Sequence, residues 1–162
     1  MHTLTERDIR ASLINVSQRE RASLLLPALD ELPWDRLDYL GWRDRKQPMV
    51  GCVITLLDDE PTGIVLRQSE GRIRARPQCS WCEDVTLPND VVMFSARRAG
   101  KAGRNGDTVG TLVCAEFQCP ANVRRPAPPA YIGFDQAAER ERRIQALRVH
   151  VDNFVRDIRD SA

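Results

Sequence analysis

Two cysteine pairs constrain this chain more than anything else in it. Cys79-x2-Cys82 and Cys114-x4-Cys119 lie 31 residues apart, and a fifth cysteine, Cys52, stands alone. An odd count argues against a disulfide framework. Four thiolates are a preferred donor set for structural zinc, which is tetrahedral and satisfied by sulfur alone. Two other readings use the same residues. A redox pair also places two residues between its cysteines, yet it needs no second pair and usually opens a helix. Reduced thiols, for their part, are common core residues. Two close pairs flanked by turns favour one zinc held by Cys79, Cys82, Cys114 and Cys119. Cys52, in a β-branched run beside Val53 and Ile54, reads as core.

The segments around the pairs set the expected fold. Thr5 with Asp8, and Ser17 with Glu20, are N-terminal capping patterns, the second ahead of Leu24, Leu25 and Leu26. In "LPWDRLDYLGW", Pro33 suits a first helical turn, Trp34, Leu37 and Leu40 share a face, and Gly41 suits a C-cap. This predicts three short one-sided helices. Past Pro48 the texture changes: "MVGCVITLL" and "GIVLR" form a hairpin joined by "DDEPT". The first cysteine pair follows, then a strand in "VVMFSA", a long loop in "RRAGKAGRNGD" and a strand in "TVGTLVC" ending at the second pair. "RRPAPPAY" is a stiff connector. From about Asp135 to Asp160, Ile144, Leu147, Val151, Phe154 and Ile158 make one apolar seam. That seam predicts a helix folding back onto the N-terminal helices, with a coiled-coil homodimer as the competing use.

The expected class is therefore α+β. A helical part over 1–47, completed by the 135–160 helix, sits beside a β-rich zinc-binding domain over 48–128. Residues 129–162 supply the connector and the final helix. Knuckle, β-hairpin and helix start occur in the order of a treble-clef finger. The zinc is expected to be structural, because no histidine or paired carboxylate accompanies the cysteines to leave an open position or move a proton. His2 and His150 fall at the terminus and on the last helix and are not expected as ligands.

Net charge is +1, so nothing global demands a nucleic acid or a membrane. The start "MHTLTERDIR" has no signal-peptide core, and the apolar runs are too short to cross a bilayer, so the expected location is cytoplasmic. Residues 61–125 hold ten Arg or Lys against six acids. Arg72, Arg74 and Arg76 in "RIRAR" alternate like a strand and form one stripe. Arg97, Arg98, Lys101 and Arg104 occupy the glycine-rich loop, either steering an acidic surface or ribosomal RNA, or forming a solvated hairpin tip. Trp81, between two ligands, is either an outward interface anchor or a hydrophobic shield over the metal.

"CSWCEDVTLPNDVVMFSARRAGKAGRNGDTVGTLVCAEFQCPANVR" resembles the C-terminal treble-clef finger of the FusB-like elongation factor G-binding proteins, over roughly residues 50–125. The resemblance implies zinc on the four paired cysteines and a partner, elongation factor G, that the resistance members of the family release from ribosomes trapped by fusidic acid. It implies no catalysis, and partner contacts on the finger side through aromatic and basic side chains. Leu112 stands where many relatives carry tyrosine. The expected function is non-catalytic binding of elongation factor G that modulates its release from the ribosome, in drug resistance or in housekeeping translation, with no small-molecule substrate. The alternative is a finger that binds ribosomal RNA or another nucleic acid, and a weaker one is a thiol redox protein.

Overall fold

The computed structural model describes residues 1–71, 76–129 and 131–160. Two short helices open the chain, α1 (Glu6–Ser12) and α2 (Gln18–Ser23). Both begin on complete capping boxes: Thr5 with Asp8, and Ser17 with Glu20. The third expected helix does not form. Residues Leu29–Glu31 and Trp34–Arg36 make isolated 3-10 turns, and the chain then enters strand β1 (Leu40–Arg43). A spacing of three residues suits a helix face, but tertiary pairing decides the segment: β1 runs antiparallel to β2 (Val50–Leu57), with Leu40 opposite Ile54 and Trp42 opposite Cys52.

Gly41 is thus a strand residue and not a helix cap. A Cβ there would lie 2.6 Å from the Phe117 side chain and 2.7 Å from Tyr39. One added at Gly51, on β2, would lie 2.5 Å from Phe117. The two glycines form a floor on which the Phe117 ring rests.

The sheet continues through β3 (Glu60–Gln68), β4 (Val91–Arg97) and β5 (Thr108–Cys114), in the order β1-β2-β3-β4-β5. The β2–β3 hairpin closes over two residues, Asp58 and Asp59, at φ 53° and 67°. Two aspartates tolerate this left-handed pair. Pairing therefore runs on through Glu60, and "EPT" joins the strand. Within the loop that follows β4, Gly100–Arg104 forms a single helical turn, α3. A further turn, α4 (Cys119–Asn122), follows the second cysteine pair, and α5 (Gln136–Arg159) closes the chain from its Asp135 cap.

Strands β3 and β4 pair only at Arg67–Ser95 and Gln68–Phe94. Beyond that point they splay, and the N-terminal arm enters the gap. Ile14 N–H donates to Gly63 C=O at 2.9 Å. The buried Asn15 amide then bridges both strands. Its Nδ2 donates to Val65 C=O (3.0 Å) and Arg97 C=O (2.9 Å), while its Oδ1 accepts from Val65 N–H (2.8 Å). One side chain thus satisfies backbone groups that a continuous ladder would have paired.

The period-2 alternation of the strands produces two cores. One face presents Cys52, Ile54 and Val65 to Leu4, Ile9, Leu13 and Leu24 of the N-terminal part. The other presents Val53, Ile64, Leu66, Phe94 and Val113 to α5 and to the four paired cysteines. The C-terminal seam, buried at Ile144, Leu147, Val151, Val155 and Ile158, therefore packs on the sheet and not on α1 and α2. The physical reason is area. A seam of 24 residues cannot be covered by helices of seven and six residues, of which α2 buries no residue. The α+β class stands, and the bundle expected from the seam is replaced by a helix-on-sheet layer.

Candidate metal centre

Cys79 and Cys82 lie on a turn that precedes β4, and Ser80 N–H donates to Leu112 C=O at 2.8 Å, so the turn is pinned to β5. Glu83, just past the second ligand, adopts φ 49° and returns its N–H to Cys79 C=O at 3.0 Å. Cys114 ends β5. Phe117, at φ 56°, donates its N–H to Cys114 C=O at 2.9 Å, and this tight turn delivers Cys119 to the start of α4. Knuckle, hairpin and helical turn thus converge as the sequence predicts.

The four sulfur atoms all lie within 4.8 Å of one another, and every one of these cysteines is buried. Cys79 Sγ is 3.6 Å from Cys119 Sγ, and Cys82 Sγ is 3.8 Å from Cys114 Sγ. A disulfide requires about 2.05 Å, so these are free thiols. A tetrahedron with zinc–sulfur bonds of about 2.3 Å has edges of about 3.8 Å. The observed spacings match that edge, and the donor set suits one structural zinc ion.

Electrostatics agree. The Cys79 thiol is pushed well down by hydrogen bonds from Cys114, and then from Cys119 and Cys82, whereas Cys119 is pushed well up by burial and then by Cys114, Cys79 and Cys82. The quartet cannot ionise fully alone, because each added thiolate opposes the next. A dication at its centre removes that opposition and allows four thiolates. Cys52 is separate: fully buried in β2, its thiol is pushed up to about 12 by desolvation and by Asp44.

Further groups support the sulfurs. Trp81 N–H points at Cys79 Sγ (3.4 Å). Asn122 Nδ2 lies 3.5 Å from Cys114 Sγ and 3.9 Å from Cys82 Sγ, and donates to Asn89 Oδ1 at 2.7 Å. Its i+3 spacing from Cys119 at the helix start is a signal the sequence offers. Tyr39, contributed from forty residues upstream of the knuckle, donates its hydroxyl to Phe117 C=O at 3.3 Å, and no local pattern marks it. Asn122→Ala should weaken zinc affinity roughly 10- to 100-fold, the usual effect of losing a group that orients metal ligands. Competition with a chromophoric chelator measures it.

Trp81 is 2 % exposed. Its ring packs edge-on to Tyr39 (centroids 5.5 Å) and against Phe154 (5.6 Å) and Phe117 (6.5 Å). It is a shield over the sulfurs and not an outward anchor, because the knuckle directs it into the crevice between sheet and α5. His150 of α5 meets the Trp81 carbonyl through Nδ1 at 2.9 Å.

Those of the expected basic residues that are described do not gather around this ring. Arg72 and Arg74 lie outside the described residues. Arg76 Nη2 donates to Leu87 C=O (2.7 Å), Arg97 turns to Glu20 (2.6 Å), and Arg98 pairs with Asp157 (2.9 Å). Lys101 and Arg104 are exposed on α3.

Two buried carboxylates lock the finger to its surroundings. Asp84, beside the knuckle, pairs with Arg143 of α5 at 2.9 Å. Asp38, just before β1, is shared by Arg124 behind α4 and Arg148 of α5. Among the described residues, no helix is long and apolar enough to cross a membrane.

No curated protein matches the sequence. Among solved structures, the fusidic acid resistance protein FusC matches with a TM-score of 0.57 at 17 % identity, over 90 % of this chain and 59 % of that one. The chain thus spans well under two thirds of FusC, and the likeness at this identity is one of fold. The model of the FBP C-terminal treble-clef zinc-finger matches residues 8–158. With its four sulfurs set at zinc-binding distances on a knuckle and a helix start, this chain belongs to the FBP C-terminal treble-clef zinc-finger family.

Proposed function

We propose that this protein is a non-catalytic, cytosolic module that binds elongation factor G and alters how long the factor stays on the ribosome. Membership of the treble-clef family over nearly the whole chain carries the reading. A closed four-sulfur centre supports it, since it leaves zinc no position for substrate or activated water. The mechanism is differential binding: the factor moves off the ribosome only as far as the protein prefers its free or releasing state.

The finger offers a recess for such a partner, with apolar walls and a rim of charged groups that includes Glu83, Glu139 and Arg142. Val85, 74 % exposed on the knuckle, stands at a cavity of about 370 Å³ that is also lined by Pro126, Pro128 and Phe134. Tyr131, 66 % exposed, packs edge-on to Phe134 at 5.5 Å. An exposed aliphatic group beside the metal-stiffened turn and an exposed aromatic group on the facing connector are suitable interface anchors. Zinc-loaded protein should retain elongation factor G from solution, and Val85→Asp with Tyr131→Ala should lose most of that binding while melting at the wild-type temperature. Calorimetry with purified factor tests this. If neither form binds the factor, the reading fails.

A further inference from the structure

We infer a second binding site, for the phosphodiester backbone of RNA, in the cleft where β3 and β4 part. The inference goes beyond the proposed role and does not depend on it. On one side of the N-terminal arm a recess of about 260 Å³ is lined by residues that include Ser17, Glu20, Arg97 and Arg104. On the other a recess of about 270 Å³ is lined by Val16, Arg67, Ser95, Arg97 and Thr108. Arg97 lines both.

The charges in this cleft are unbalanced. Arg97 Nη2 lies 2.6 Å and Arg67 Nη2 3.7 Å from the same atom, Glu20 Oε1. Two guanidiniums thus face one carboxylate oxygen, and Arg67, at 3.7 Å, is beyond hydrogen-bond reach of it. Both side chains are about half exposed, at 58 % and 48 %. Arg104, exposed on α3, adds a third cation with no ion-pair partner among the described residues, while neighbouring Arg98 is already matched by Asp157. Paired arginines around one oxygen are the geometry that forks onto phosphate.

The lining decides between ligand classes. A protein partner calls for an apolar, often aromatic, centre depleted in charge. These recesses contain no aromatic residue; Ile14, Val16 and Val65 line them beside Asn15, Ser95 and Thr108. Arg67, Arg97 and Arg104 make them cationic where a protein interface core would be depleted in charge. Without an aromatic platform the main surface for base stacking is missing, so recognition is chiefly of the backbone and carries little sequence preference. Glu20 then acts as a resident competitor. Its Oε2 accepts from Ser17 N–H at 2.9 Å as part of the helix cap, and its Oε1 occupies the arginines.

That arrangement gives opposite signs for two substitutions. Glutamine still completes a capping box, so Glu20→Gln removes the competing charge without uncapping α2. The test is fluorescence anisotropy of zinc-loaded full chain with labelled, unstructured oligouridine over a salt series. Wild type should bind with a steep salt dependence, and Glu20→Gln should bind several-fold tighter. Arg67→Ala/Arg97→Ala should bind roughly tenfold weaker, with the slope of log K against log salt reduced by about 0.7 for each phosphate no longer neutralised. Arg67→Lys/Arg97→Lys, which keeps the charge, should keep that slope, and thermal melts confirm that each variant folds. No RNA binding by wild type at low salt, or equal affinities for all variants, overturns the proposal. So does a pattern in which the arginine variants lose elongation factor G while RNA binding is unchanged, which would assign the cleft to an acidic protein surface.

Discussion

Stripping zinc from the reduced protein should unfold the finger and release α5 with it. Structural zinc contributes on the order of 10–16 kcal/mol in finger peptides at neutral pH, and a whole domain is stable by only about 5–15 kcal/mol. The core that holds the four sulfurs is the same one that takes the α5 seam: Cys79, Cys82, Cys114 and Cys119 share a cluster with Ile144, Leu147, Val151, Val155 and Ile158. Two buried carboxylates add to the link: Asp84 holds Arg143 of α5 only while the knuckle stays in place, and Asp38 joins Arg124, behind α4, to Arg148 of α5. Once the ion is gone, the knuckle loses the bond that fixes Trp81 beneath α5, Arg143 loses its anchor, and Arg124 no longer shares Asp38 with Arg148. Hydrogen exchange on metal-free protein should therefore show protection lost across both 76–123 and α5, with the thermal transition lowered or abolished, and zinc should restore both. Cys79→Ser should behave likewise. An unchanged melting curve after verified metal removal would refute a structural role for the site.

The elements were legible in proportion to how local their causes are. Thr5 with Asp8 and Ser17 with Glu20 close their boxes within one helical turn, so the starts of α1 and α2 could be read directly. The cysteine spacing carried the metal centre for the same reason, since each pair is brought together by a single turn. The failures share a non-local cause. Trp34, Leu37 and Leu40 repeat every three residues whether or not they are helical, and what settles Leu40 is its partner Ile54 on β2. The α5 seam was visible but its partner was not: a stripe of Ile144, Leu147 and Val151 fits a sheet as well as a bundle, and the short α1 and α2 could not cover it. Asn15, spanning the gap between Val65 and Arg97, and Tyr39, reaching Phe117, act across 50 to 82 residues of sequence, and a single sequence offers no pattern for such contacts. Even Trp81, whose place between two ligands is plain in the sequence, has its direction set by Tyr39, Phe117 and Phe154, which arrive from three other parts of the chain.

Trp81→Ala should accordingly act on stability first. Removing a large aromatic ring from a closed core costs about 3–5 kcal/mol through lost transfer energy and the cavity left behind. The edge-on contact with Tyr39 adds about 0.5–1.5 kcal/mol of geometry-specific attraction. At roughly 2–4 °C per kcal/mol for a chain of this size, the thermal midpoint should fall by on the order of 10 °C, whereas Trp81→Phe, which keeps a ring under the knuckle, should lose far less. Zinc should also bind more weakly to the alanine variant, because the cavity lies against the sulfurs and admits water to them. A surface anchor behaves in the opposite way: its alanine variant melts with wild type and loses only the partner. Differential scanning calorimetry of the three zinc-loaded proteins separates the cases. A wild-type midpoint for Trp81→Ala would mean that the ring does not support the metal centre, and the coupling of that centre to α5 would have to run through Asp84, Asp38, the His150 contact with the Trp81 carbonyl and the rest of the shared core.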